Sequence, residues 1–113
     1  MMREMSSVED YRIRYRILEV LHEAAQDEDA SPWGVDRGSM HKSLEVPEEN
    51  MDSNMLYLER KGLVKVTHAS NVLWFRAKIT SFGAVVFENK EQYVEQFPFV
   101  KTNNPKRRAR RRK

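Results

Sequence analysis

Few residues in this chain could do chemistry, and one cluster of them stands apart. The last eight, Lys106-Arg107-Arg108-Ala109-Arg110-Arg111-Arg112-Lys113, carry seven positive charges and no negative one. A guanidinium presents a planar fork of donors that matches a phosphate, so five arginines within eight residues suit contact with a phosphate backbone. The other reactive side chains do not gather. The three histidines, His22, His41 and His68, fall on three different predicted elements. There is no cysteine, which excludes a disulfide scaffold, a thiolate zinc site and a cysteine nucleophile. The four glycines, Gly34, Gly38, Gly62 and Gly83, make no phosphate-cradling motif. Nucleophile, base and ligand never fall at a working spacing, so neither catalysis nor a metal or organic cofactor is expected.

The charge is unevenly placed. Lys and Arg number 20 against 17 Asp and Glu, a formal net charge of +3, and taking the tail's seven from that +3 leaves −4 for residues 1–105. The body is mildly acidic, and the isoelectric point near 9.3 belongs to the tail. A run of like charges repels itself and cannot bury apolar surface, so residues from about 103 onward are expected to stay disordered until a polyanion neutralises them. Nucleic acid is the commonest such partner. A solubilising tail and a receptor-read address, such as a nuclear import signal, are the alternatives these residues leave open.

A chain of 113 residues with 40% hydrophobic content fits one globular domain plus tail. At this length roughly 65% of the unfolded surface can be buried, so no staple is required. No segment approaches the roughly 18 to 20 apolar residues of a membrane span, and Met1 to Asp10 lacks the apolar run of a signal peptide. A cytoplasmic protein without membrane contact is therefore expected, organised as a flexible N-terminus (1–8), a folded domain (9–100) and a disordered basic tail (101–113).

The elements follow from periodicity. From Glu9 to Gln26, Ile13, Ile17, Val20, Leu21 and Ala24 share one arc of a helix. A second stripe, Tyr11, Tyr15, Leu18, His22 and Ala25, repeats at the alternating spacing of a packed seam; it is covered either by the chain itself or by a second copy. Gln26 to Gly34 reads as a loop. Asp36 can cap a second helix through Leu44, and Val46-Pro47 opens a third that ends at Gly62, with Met51, Asn54, Met55 and Leu58 inward. Leu63 to His68 and Val72 to Ile79 alternate as a β-hairpin, with Leu73, Phe75, Ala77 and Ile79 inward and Trp74, Arg76 and Lys78 on the other side. Thr80 then caps a helical segment aligning Phe82, Val86, Tyr93 and Phe97, interrupted near Glu88-Asn89-Lys90 and ended by Pro98.

That order of elements resembles the winged helix-turn-helix family, and three local matches carry the resemblance. Val46-Pro47-Glu48-Glu49 resembles the turn into the family's recognition helix. Leu58-Glu59-Arg60-Lys61-Gly62-Leu63-Val64 resembles its exit into the wing, and Ile79-Thr80-Ser81-Phe82-Gly83 its Leu-Thr-x-x-Gly helix start. Together they cover residues 9 to 88. The resemblance implies an α+β, mainly α fold with a three-helix core, a two-stranded wing and an extra C-terminal helix. It also implies a DNA-binding regulator of bacterial or archaeal type, with the third helix in the major groove of double-stranded DNA and the wing near the minor groove or backbone.

On the third helix the outward face then carries Glu49, Ser53, Leu56 and Arg60, with Asp52 and Tyr57 flanking. Ser53 and Arg60 can bond base edges or phosphate, and Leu56 can pack on a thymine methyl. Glu48, Glu49 and Asp52 depart from a simple phosphate-binding face; they accept from cytosine or serve the helix macrodipole. Lys42, Lys61, Lys65, Arg76 and Lys78 can line phosphates, with Asn71 at the wing tip and Tyr57 beside the groove. Lys106, Arg107, Arg108, Arg110, Arg111, Arg112 and Lys113 would add affinity blind to sequence. Tyr11, Tyr15, Leu18, His22, Tyr93 and Phe97 are the candidate interface of a homodimer. Two alternatives remain: a protein-interaction winged helix whose tail binds RNA or serves as address or solubility element, and an architectural binder driven by the tail alone.

Overall fold

Helix α1 (Val8–Gln26) buries Ile13, Ile17 and Leu21 of the predicted arc, leaves Val20 and Ala24 half-buried, and also buries Leu18 of the second stripe; the rest of the domain is built on that side. The structure, a computed structural model, describes residues 8–29, 32–69 and 72–101. Strand β1 (Val35–Asp36) leads directly into α2 (Arg37–Leu44), followed by α3 (Glu48–Arg60), β2 (Val64–Ala69), β3 (Val72–Ile79), α4 (Ser81–Glu88), α5 (Lys90–Tyr93) and a 3-10 turn (Pro98–Lys101). The architecture is mainly helical α+β, with one antiparallel sheet in the order β1-β3-β2. Met40 of α2, Met51, Met55 and Leu58 of α3, Trp74 and Ala77 of β3, Val86 of α4 and Phe99 meet α1 in a single core. No helix among the described residues is long and apolar enough to cross a membrane.

Element boundaries have local causes. Asp36 accepts from the Ser39 amide at 3.0 Å and from Ser39 Oγ at 2.7 Å, capping α2. Those bonds from Ser39 hold the Asp36 carboxyl below the ordinary range, and nearby Arg76 pushes in the same direction. Pro47 precedes the first turn of α3, and its carbonyl accepts from Asn50 and Met51 at 3.0 and 3.1 Å. Gly62 adopts φ 78°, the left-handed conformation that lets the chain leave α3 for β2. Thr80 accepts from the Gly83 amide at 2.8 Å and donates to the Gly62 carbonyl at 2.7 Å, so one hydroxyl ties the end of α3 to the start of α4. A β-carbon on Gly83 would lie 2.1 Å from the Leu63 carbonyl oxygen, which explains why this helix start takes glycine at its third residue.

The sheet departs from expectation in two ways. Val35–Asp36 is too short to show alternation, yet pairing Val35 with Ala77 and Asp36 with Arg76 makes it a strand, so the expected two-stranded hairpin is part of a three-stranded sheet. The facing of β3 also differs. Trp74, expected outward, is fully buried, and Phe75, expected inward, is 40% exposed, while Ala77 is buried as alternation predicts. The register supplies the reason: Thr67 faces Arg76 but Ala69 faces Val72, leaving extra residues of β3 opposite His68. Such an irregularity reverses which side chains point at the core.

The C-terminal region is also more broken than a single helix. It divides at Asn89, and Pro98 opens the 3-10 turn that buries Phe99 and Val100. This region settles the second stripe of α1. The Phe87 ring lies 5.5 Å from that of Tyr15 and 4.9 Å from that of His22, and His22 Nε2 lies 2.8 Å from Glu88 Oε2. Leu18 and Phe97, expected at a dimer interface, are buried within a single chain. They are core residues, because the chain's own C-terminal elements cover the stripe. Tyr11, Tyr15 and Tyr93 remain half-buried.

Candidate nucleic-acid interface

Helix α3 divides its residues between core and solvent. Met51, Asn54, Met55 and Leu58 are buried, as the spacing predicts, and on the opposite side Glu49, Ser53 and Arg60 are exposed with Leu56 half-buried. The outward face is thus available, and its charge is graded. Glu45, Glu48 and Glu49 are exposed around the N-terminal end, and Arg60 and Lys61 at the C-terminal end. Acids at the first turn and a base at the last complement the helix macrodipole, so the gradient stabilises α3 whatever it faces.

Asp52 corrects the expected face. It turns inward, 8% exposed, where its carboxylate is bound from two other elements. Arg37, at the start of α2, donates from Nε to Oδ1 at 3.1 Å and from Nη2 to Oδ2 at 2.6 Å, a bidentate pair. Trp74 Nε1 donates to Oδ1 at 2.9 Å, which satisfies the indole that β3 drives into the core. The bond to Asp52 pushes the Arg37 guanidinium further up in pKa, and Glu48 at 3.9 Å adds to it. The start of α2, helix α3 and the central strand are therefore joined through one carboxylate.

A second polar tie fixes α3 to α1. Arg14 is buried, donates from Nε to Asn54 Oδ1 at 2.7 Å, and places its guanidinium carbon 3.7 Å from the centre of the Tyr57 ring. Asn54 Nδ2 in turn donates to Asp10 Oδ1 at 3.0 Å and to the Asn50 carbonyl at 2.9 Å. Burial pulls the Arg14 guanidinium down, with Tyr57 and Asp10 opposing it. The Tyr57 ring also meets Phe99 edge-on at 6.1 Å and receives Lys61 Nζ at 5.4 Å, so this candidate groove residue is engaged within the fold.

The remaining candidates spread over three elements. Lys42 is exposed on α2 and Lys61 just past α3, Lys65 and Lys78 are exposed on β2 and β3, and Arg76 is half-buried. Ser53 Oγ donates to the Asn50 carbonyl at 3.3 Å. Asn71 and residues 106–113 lie outside the described residues. The histidines stay apart: His22 contacts Glu88, His41 Nε2 lies 2.9 Å from the Val46 carbonyl, and His68 Nε2 lies 3.2 Å from Glu59 Oε2. A cavity of about 260 Å³ between the end of α1 and the sheet is lined by Leu21, Val35, Ala77 and Lys78 among others.

Arg37, Asp52, Arg14 and Asn54 are the positioning residues that sequence reading missed. The available signal was an acid and an amide beside the buried arc of an amphipathic helix, in a chain that offers arginines on neighbouring elements.

No protein-family model matches this chain, and no curated protein matches it in sequence. Among solved structures it is similar to one from Ralstonia eutropha named a "putative DNA-binding protein", with a TM-score of 0.56 and 24% identity, covering 66% of this chain and 88% of that one. The two share a fold.

Proposed function

We propose that this chain is a winged-helix DNA-binding protein that reads double-stranded DNA with the outward face of α3 and acts as a transcription regulator. One observation carries the proposal: Ser53, Leu56 and Arg60 share the solvent side of a helix whose opposite side is fixed to α1, α2 and β3. A helix supported in this way can enter a major groove without losing its own packing. The name of the structural neighbour supports the choice of DNA. In this reading residues 49–60 supply most of the selectivity, and the basic tail supplies much of the affinity.

Selecting bound sequences from a random duplex pool tests the proposal directly. A regulator enriches a defined site, and a pool that stays random leaves an architectural binder. Ser53→Ala and Arg60→Ala should each relax preference at their contacted base pair by about 1 to 3 kcal/mol per good contact, read as relative affinities for the selected site and its point variants. Unchanged affinities would favour the protein-interaction reading, which the acids Glu45, Glu48 and Glu49 at one end of α3 support.

The proposal includes a homodimer, because a symmetric regulator doubles its contacts over two half-sites about one helical turn apart. With Leu18 and Phe97 in the core, the remaining candidates are Tyr11, Tyr15, His22 and Tyr93, the last with its ring 6.0 Å from that of the exposed Phe82. Light scattering at tens of micromolar protein is expected to return twice the 13.4 kDa chain mass, and the single-chain mass would remove this part of the proposal.

A further inference from the structure

Helix α1 carries Glu9, Arg12, Ile13 and Arg16 on one face, at the spacing that stacks side chains along a helix. That face borders a cavity of about 360 Å³, within the range of small-molecule sites, whose other wall is Leu44 at the end of α2 and Val46 in the turn to α3. Tyr15 completes the lining. Ile13 is buried, and Tyr15, Leu44 and Val46 are half-buried against the core. The wall across from α1 is held by its own turn: Glu45 adopts φ 55°, its amide donates to the His41 carbonyl at 3.0 Å, and His41 Nε2 lies 2.9 Å from the Val46 carbonyl. The cavity is therefore preformed.

The charges along this cavity differ in how they are satisfied. Arg16 Nη1 pairs with Glu19 Oε1 at 3.0 Å. Arg12 is exposed, and among the described residues no carboxylate lies at salt-bridge distance from it, although Glu9 precedes it by one turn on the same face. A guanidinium beside an apolar cavity offers a planar fork of donors to a carboxylate. Glu9 narrows the choice of anion. Its own charge on the same wall repels a second negative charge, which disfavours a dicarboxylate or a phosphate monoester.

We propose that this cavity binds a small apolar monocarboxylate, with Arg12 holding the carboxylate and Ile13, Leu44 and Val46 receiving the hydrocarbon body. Burial of that body supplies the attraction that an exposed ion pair alone lacks. The proposal concerns ligand binding and can fail or hold independently of the duplex reading.

The test titrates the full chain with hexanoate, hexanamide and adipate, which share a six-carbon body and carry one, no and two negative charges, and follows backbone amide resonances. Hexanoate should bind saturably at millimolar concentration and shift the amides of Leu44 and Val46 together with those around Arg12. Hexanamide and adipate should each bind about tenfold or more weakly. Arg12→Gln, a change at an exposed position, should weaken hexanoate about tenfold and leave hexanamide unaltered. Glu9→Gln should strengthen adipate by relieving the repulsion. No saturable hexanoate binding, shifts confined to other elements, hexanamide binding as tightly as hexanoate, or an unchanged hexanoate affinity in Arg12→Gln overturns the site. Adipate affinity unmoved by Glu9→Gln overturns the selection for a single negative charge.

Discussion

Replacing Asp52 with alanine is expected to destabilise the domain by about 3 kcal/mol, measured as a lower denaturant midpoint with an unchanged slope. The loss has two parts. The Trp74 indole N–H, bonded at 2.9 Å in a fully buried position, loses its acceptor with no water to replace it. Arg37 loses two charge-assisted bonds at 3.1 and 2.6 Å. Arg37→Ala should cost less, because Trp74 keeps its acceptor, and the double variant should be less destabilised than the two single changes added together. Asp52→Asn retains one oxygen for the indole and is expected between the wild type and Asp52→Ala. A midpoint unmoved in Asp52→Ala would show that the carboxylate does not join α2, α3 and β3 in solution.

Deleting residues 106–113 should change binding most. If about five of the seven cations meet phosphates, log affinity for duplex falls with log salt at a slope of about −4 to −5 from the tail alone, and the truncated chain loses that slope. The ranking of duplex sequences should survive, because residues 49–60 are untouched. A slope that is the same with and without the tail removes its proposed role in affinity, and a ranking that collapses would assign selectivity to the tail. Measuring both across a salt series separates the two contributions.

Where local chemistry decides the structure, the sequence was legible. The Asp36 cap, the Gly62 exit from α3 and the Thr80 cap of α4 each depend on residues within a turn of one another, and the arc Met51, Asn54, Met55, Leu58 follows from helical period. What escaped depends on distant partners. Val35–Asp36 becomes a strand only because β3 lies beside it. Trp74 and Phe75 exchange faces because of a pairing irregularity with β2, which no alternation within β3 can reveal. Asp52 looked like a surface acid since its ligands lie 15 and 22 residues away. The outward residues of α3 were legible as a face, whereas Tyr57, at the edge of that face, is claimed by Arg14 from 43 positions earlier, a distance no helical wheel displays.

The anchorage of Asp52 to Arg37 and Trp74 bears on how a reader of this kind would discriminate among operators. With α3 locked to both its preceding helix and its strand, the unit would, under the proposed function, meet DNA preorganised and lose little flexibility on docking. A rigid reader cannot adapt to a groove of the wrong width. The duplex has to deform instead, so sequences at base pairs the protein never touches would set affinity through their own stiffness.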